Sequence, residues 1–235
     1  MSRDVGPGPP RPRTWPDRLS RRWRERHGRG QAAPGPDPTW VLAHTRSRTL
    51  PDGTNVVLRP ILPQDKPDLV SILRRLSAES RRLRFHHAKA RLTGGELRYL
   101  TEIDYQDHFA WCAFIVDDSG TFAIGVARYI RVAPMSDHAE VAIEIVDQYQ
   151  SRGVGTALID LLAQTALEHG ITCFIAYVEP VNASVIRWAQ KAGGCFVEEN
   201  GVLRVEVSLP VAPMQPSMNQ ELGRSTYLKR VEAPS

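Results

Sequence analysis

Val141-Ala142-Ile143-Glu144-Ile145-Val146-Asp147-Gln148-Tyr149-Gln150-Ser151-Arg152-Gly153-Val154-Gly155-Thr156, followed by Ala157-Leu158-Ile159-Asp160-Leu161-Leu162-Ala163, is the stretch that decides the fold. An apolar, strand-like run feeds a short glycine-bearing turn, and the turn opens directly into a segment with helical spacing. At such a junction the first helical N–H groups lack partners within the helix, and the helix dipole adds partial positive charge. A phosphate is therefore a natural ligand. Gly153 and Gly155 carry no Cβ to hold an anion off, and Arg152 offers a further positive charge beside it.

The hexapeptide Gln150-Ser151-Arg152-Gly153-Val154-Gly155 resembles the Gln/Arg-x-x-Gly-x-Gly/Ala pattern of the Gcn5-related N-acetyltransferases (GNATs). In that family the corresponding loop holds the pyrophosphate of acetyl-CoA. Two neighbouring motifs do not fit: a Walker A loop needs Lys-Ser/Thr after its last glycine, and a dinucleotide fingerprint needs a third glycine and a later acidic residue. Taken alone, the hexapeptide also fits a βα turn that uses its glycines for geometry only. The flanking sequence favours the family reading.

At 235 residues the chain has room for one sizeable domain with tails and can bury an ordinary core without disulfides. Cys112, Cys173 and Cys195 form no Cys-x-x-Cys pair and read as small core residues in a reducing compartment. No apolar run approaches the roughly 20 residues needed to span a bilayer, and no apolar signal core stands at the N-terminus, so a cytoplasmic protein is expected. Charge is uneven: residues 1–48 hold 11 Arg, no Lys and 4 acidic residues. Residues 1–38 are dense in Pro, Gly and Arg, a composition that cannot offset chain entropy by burial. We read them as a disordered basic arm, either solvated or available to an acidic partner through Trp15 to Arg26, with no specific nucleic acid implied. Residues 211–235 read as a flexible tail.

Between the tails, Trp40 to Ala43 leads toward a turn at Asp52-Gly53, and Thr54 to Pro60 reads as a first strand. A helix follows through Leu69, Ile72, Leu73 and Leu76. Ser80 to His87 reads as a cationic linker between helices, either solvated or lining the acceptor side of a site. Thr93-Gly94-Gly95-Glu96 has the form of a capping box opening the next helix. Strands follow at Phe109–Val116, Phe122–Val132 and Ala139–Val146, the first two joined by a turn at Asp117-Asp118-Ser119-Gly120. After a helix over roughly 153–169 come a strand (Cys173–Val178), a helix (Asn182–Ala192) and a final strand pair.

Two blocks, Leu83-Arg84-Phe85 and Asp104-Tyr105-Gln106-Asp107-His108-Phe109-Ala110, resemble the GNAT domains of bacterial Pat-type protein lysine acetyltransferases. That resemblance implies a GNAT fold over 39–210: α/β (α+β), with a mixed, twisted sheet splayed at its middle strands and helices on both faces. It implies an enzyme that moves an acetyl group from acetyl-CoA, without a metal, to a protein lysine. The alternatives are acetylation of a small amine and a non-catalytic module that senses acyl-CoA.

Acetyl transfer needs the amine deprotonated and the thioester carbonyl polarised. A lysine pKa near 10.4 makes a nearby base useful. Glu140, charged in an apolar strand, is the candidate, and the resemblance gives a glutamate at this position the general-base role. Glu144 is the rival: alternation puts Glu140, Ala142, Glu144 and Val146 on one face unless a bulge intervenes, and the resemblance implies such a bulge. A backbone N–H near Ile145 or Val146 would polarise the carbonyl. Gln150, Ser151, Arg152, Gly153, Val154, Gly155 and Thr156 would hold the pyrophosphate. Asn182 matches a cofactor-touching asparagine of the family and equally an ordinary N-cap. Arg84 and Phe85 are expected near the acceptor. His108 reads as a substrate contact, an auxiliary base or a satisfied strand histidine. Many small-molecule GNATs carry a tyrosine acid where this chain has Ala189, so that acid is absent here.

Overall fold

The computed structural model describes residues 35–85, 91–117, 120–133 and 136–210. The basic arm as far as residue 34, the His86-His87 end of the cationic segment, Asp118-Ser119 and the tail from residue 211 lie outside the described residues.

Eight strands form one sheet in the order β1-β2-β3-β4-β5-β6-β8-β7. They are β1 (Arg46–Thr49), β2 (Asn55–Pro60), β3 (His108–Asp117), β4 (Gly120–Arg131), β5 (His138–Ile145), β6 (Cys173–Val178), β7 (Cys195–Glu199) and β8 (Val202–Ser208). Every neighbouring pair is antiparallel except β5 and β6, which run parallel. The helices are α1 (Pro38–Ala43), α2 (Lys66–Arg75), α3 (Ala78–Phe85), α4 (Gly94–Thr101), α5 (Val154–Glu168) and α6 (Ala183–Lys191).

The middle strands are apolar on both faces because both faces are covered. On one side Phe109, Trp111, Ala113, Ala127 and Tyr129 meet Leu158, Leu162 and Ala166 of α5. On the other, Ala110, Cys112, Phe114, Val126 and Ile130 meet Leu69 and Ile72 of α2 and Tyr99 and Leu100 of α4. Fully buried side chains such as Leu158 contribute about 1.5–3 kcal/mol each, so the two layers hold the sheet between them. The Arg59-Pro60…Asp65 pattern also has a physical basis. Arg59 grips Asp65 through two hydrogen bonds of 2.6 and 2.7 Å, both side chains are buried, and the carboxylate accepts from Leu62 N–H at 2.7 Å. This fork fixes the entry of α2 against β2.

Four expectations change. The Trp40 segment is helix α1, and β1 precedes the strand read as first. Asp37 caps α1, accepting from Thr39 N–H at 2.7 Å, and Trp40 packs on Phe109. The segment read as a cationic linker is helical through Phe85. Its helix lacks an apolar period but gains a cap, because Ser77 Oγ accepts from Ser80 N–H at 3.0 Å, and Arg82 and Arg84 lie at its C-terminal end where the dipole favours cations. The bulge implied for β5 is absent. The β4–β5 register runs without a break from Gly125↔Ile145 to Arg131↔Ala139, and the irregularity falls at Ile124 of β4, opposite Ala113 and Phe114. Of the three cysteines only Cys112 is buried; Cys195 is exposed on the edge strand β7.

Candidate active site

β5 and β6 pair only over His138–Glu140 and Cys173–Ile175. Beyond Glu140, β5 stays with β4 as far as Ile145, while β6 stays with β8 as far as Val178. The sheet therefore opens between Val141–Ile145 and Ala176–Val178. Val146 N–H donates to Ile124 O at 2.9 Å and His138 O accepts from Val132 N–H at 2.9 Å, so the even-numbered residues of β5 bond to β4. Alternation turns the N–H groups of Val141, Ile143 and Ile145 toward the opening. Of the two carbonyl-polarising positions considered, only Ile145 has an N–H facing this gap.

At the end of β5 the chain makes a turn (Asp147–Tyr149) and enters the glycine loop. Ser151 has φ of 58° and Gly153 has φ of 94°, and Gly153 is the N-cap of α5. The first backbone bond of this helix is Ala157 N–H to Gly153 O at 3.0 Å, so Val154, Gly155 and Thr156 have N–H groups without partners in the helix. Arg152 does not reach freely toward an anion. Its Nε donates to Asp52 at 2.5 Å and its Nη2 to Thr54 Oγ1 at 2.7 Å, which braces the loop against the β1–β2 turn. The guanidinium and the Thr54 bonds hold the Asp52 carboxyl down to about 2. Gln150 is also engaged, donating to Ile145 O at 3.0 Å and to Asp147 Oδ1 at 2.9 Å. The backbone N–H groups of Val154, Gly155 and Thr156 and the dipole of α5 are what this loop offers an anion without rearrangement.

The register puts Glu140, Ala142 and Glu144 on the face shared with His108, Cys112, Val126, Arg128 and Ile130, away from α5. Helix α3 lies over this face. Ser77 N–H and Ser80 Oγ each donate to Asp147 at 2.6 Å, Arg84 Nε stands 2.6 Å from Glu144 Oε1, and Arg82 pairs with Glu179 just past β6. One short helix is thus tied to both arms of the opening. The side chains of Arg84 and Glu144 are 8% and 10% exposed, and by whole residue Arg84, Glu144 and Glu140 are all half-buried. Burial pulls the Arg84 and Arg128 guanidiniums down from their usual range, and Glu144 opposes the shift in both.

Arg128 is 1% exposed; its Nη1 donates to Leu100 O at 2.9 Å and lies 3.3 Å from His108 Nε2. A guanidinium only donates, so in this contact His108 Nε2 is the acceptor. Among the described residues Arg128 Nε and Glu144 Oε2 are buried without a hydrogen-bond partner.

Phe85, expected near the acceptor, is 4% exposed and packs with Leu73 and Leu76, so it anchors α3. Asn182 caps α6, accepting from Val185 N–H at 3.3 Å. Ala189 is fully buried. Two residues at the opening escaped the sequence reading. Asp147 carries the link to α3, for which a lone aspartate in a turn gives no signal. Tyr177 lies two residues past Ile175, the partner of Glu140, and hence on the same face; only the register discloses it. Among the described residues no group of three His, Cys, Asp or Glu side chains converges, and no described helix is long and apolar enough to cross a membrane.

A thioester-bearing coenzyme A fits this frame. The unpartnered N–H groups at the start of α5 suit its pyrophosphate, and the outward N–H groups of β5 suit an extended pantetheine arm. A sheet parted between two parallel strands, with a glycine loop and helix N-terminus at the mouth, defines a coenzyme A-dependent acyltransferase domain. The comparisons agree. Residues 77–194, half the chain, match the model of the "Acetyltransferase (GNAT) family". Acetyltransferase Pat of Mycolicibacterium smegmatis is 31% identical over 173 residues, 72% of this chain and 51% of that protein. Acetyltransferase PA5475 of Pseudomonas aeruginosa is 30% identical over 122 residues, 52% of this chain and 65% of that protein. The crystal structure of the GNAT domain of S. lividans PAT superposes with a TM-score of 0.65 at 31% identity, covering 74% of this chain and 99% of that one. The chain belongs to the GNAT acetyltransferase family, a family of acyl-CoA-dependent N-acetyltransferases, and within it is similar to Pat. It spans about half the length of the Mycolicibacterium relative.

Proposed function

We propose that residues 39–210 form a protein lysine acetyltransferase domain in which Glu140 is the general base. The observation that carries this reading is the position of Glu140 at the last paired residue of β5 and β6, where the sheet begins to part, half-buried and on the face beneath α3. Glu144, the rival, is held by Arg84. Bound acetyl-CoA would supply the activated acetyl group. Glu140 accepts the proton that the lysine ammonium must lose, directly or through water. Ile145 N–H donates to the carbonyl oxygen as negative charge builds there. Gln150 to Thr156 hold the loop that receives the pyrophosphate, and Asn182 fixes the start of α6 beside the opening. Ala189 leaves the thiolate to depart without a tyrosine acid, which a thiol pKa near 8.5 permits.

The Pat resemblance supports a protein acceptor. One observation favours a second reading, a small cationic amine: Arg82 and Arg84, whose charges would repel it, are taken up by Glu179 and Glu144. Coenzyme A release measured with a lysine-bearing protein and with a panel of small amines separates the two. The base assignment is tested in the same assay: Glu140→Gln is expected to lose about two to four orders of magnitude in kcat/KM while still binding acetyl-CoA by calorimetry. Binding of acetyl-CoA without turnover of any acceptor by the native chain would favour a sensor module.

A further inference from the structure

We propose that Glu144 is a tuning residue: by pairing with Arg84 inside the site it keeps Glu140 basic enough to act. This rests on the reading of Glu140 as the base. The groups that face Glu140 come from every surrounding element. They are Glu144 and His138 on β5, Arg128 on β4, His108 and Cys112 on β3, Arg84 on α3, Tyr99 on α4, Cys173 and Tyr177 on β6, and on β8, two strands away, Glu206 paired with Arg204. The acidic and basic side chains nearest the strand are Glu140, Glu144, Arg84 and Arg128, two of each sign. They sum to zero.

Two carboxylates share two guanidiniums in a largely buried region at the edge of the opening. Arg84 lies 2.6 Å from Glu144 Oε1, and its field reaches Glu140 as well. Arg128, on the neighbouring strand β4, is bonded through Nη1 to Leu100 and His108, while its Nε and the second oxygen of Glu144 are buried without a hydrogen-bond partner among the described residues. Glu144 is thus the main neutraliser of both cations. Without its charge, two buried guanidiniums would have Glu140 as their counterion, and a carboxylate beside an unbalanced arginine becomes a weaker base by about one to three pH units. Such a base titrates too low to take a proton from an amine near neutral pH. A glutamate in the midst of β5 serves the reaction without touching the substrate.

The decisive experiment titrates Glu140 itself. In protein labelled at the glutamate δ-carbon, the Glu140 carboxyl signal, assigned by its loss in Glu140→Gln, is followed against pH without acetyl-CoA in native, Glu144→Gln, Arg84→Gln and Arg84→Gln/Glu144→Gln chains. The expected result is a fall of about one to three pH units in Glu144→Gln, a rise in Arg84→Gln, and a return to near the native value in the double variant. The acidic limb of kcat/KM should move with it. Arg84→Lys, which keeps the charge, should leave the midpoint in place and serves as the comparison should Glu144→Gln fail to fold. Coincident Glu140 midpoints in Arg84→Lys and Arg84→Gln, or in native and Glu144→Gln, would overturn the proposal even if activity fell. Full activity in Glu140→Gln would instead remove the base reading on which it rests.

Discussion

Ser80 Oγ donates to Asp147 Oδ1 at 2.6 Å, while the other oxygen of the same carboxylate accepts from Ser77 N–H at 2.6 Å. Asp147 follows β5 by two residues and precedes the glycine loop, so one side chain fastens the acceptor-side helix to the cofactor-side turn. Gln150 joins the same carboxylate at 2.9 Å. Asp147→Ala should therefore loosen both sides at once. We expect a loss of about 1–3 kcal/mol in folding stability from the missing hydrogen bonds to the carboxylate. We also expect higher KM values for acetyl-CoA and for the acceptor together, read from initial rates. An increase confined to one substrate would show that the two sides are independent.

The glycine loop separates strain from ligand approach. Gly153 has φ of 94°, and a Cβ there would come within 3.3 Å of Pro51 Cδ. Gly155 has negative φ, and its added Cβ would meet Ile143 Cδ1 at an ordinary 3.6 Å. Gly153→Ala should cost about 1–2 kcal/mol in a urea titration through backbone strain. Gly155→Ala should be nearly neutral in that titration yet weaken acetyl-CoA binding in calorimetry, since its methyl group would stand beside N–H groups expected to hold the pyrophosphate. Equal behaviour of the two variants in both measurements would contradict this division.

Asp52 gives a pH signature for the bracing of the loop. Its folded value, about 2, lies below the ordinary 3.8, chiefly through the bond from Arg152 and then those from Thr54. A depressed carboxyl stabilises the folded state fully above its unfolded value and loses that contribution as pH falls through the folded one. The melting temperature of the native chain should thus exceed that of Asp52→Asn above pH 3.8, with the difference shrinking toward pH 2. Because the pair is exposed, the difference at neutral pH should also fall with added salt. A gap that does not depend on pH would point to packing of the turn instead.

The parts of the fold that were legible in the sequence are those fixed by local chemistry. Thr93 and Glu96 form the expected reciprocal cap, Asn182 caps α6, and the strand–glycine–helix junction lies where the spacing put it. Helix α3 was not legible, because its arginines and single leucine follow no apolar period and its order comes from partners about 60 to 100 residues away: Asp147, Glu144 and Glu179. The same distance in sequence hid Arg128, which only strand register brings onto the face of Glu140. For Arg152 the local reading missed a partner. The residue next to the loop glycines is tied to Asp52, a hundred positions earlier.

The buried fork of Arg59 and Asp65 should prove a folding element independent of chemistry. Both oxygens of Asp65 are bound, and removal of the carboxylate would strand a buried cation beneath α2. Asp65→Ala should cost about 3–5 kcal/mol by denaturant titration, at the scale found when one partner of a buried pair is deleted. What folds should retain a native KM for acetyl-CoA, since β2 lies three strands from β5.

Ala189 offers a last contrast, between a missing catalytic group and a packed one. It is fully buried on α6 in a cluster with Val178, Val205 and Val207, and Gly194 N–H donates to its carbonyl at 2.8 Å. A glycine at 194 is required there, since a Cβ would fall 2.9 Å from that oxygen. The helix face that bears a tyrosine in many small-molecule relatives is here part of the apolar layer between α6 and β8. Ala189→Tyr should therefore not create an acid at the thiolate. Inserting a ring into this layer should destabilise the chain by about 1–3 kcal/mol, measured in urea, with no gain in kcat at any pH. A gain in kcat accompanied by a new basic limb near the tyrosine pKa of about 10 would mean that α6 can turn this position into the opening, and that thiolate protonation limits the native rate.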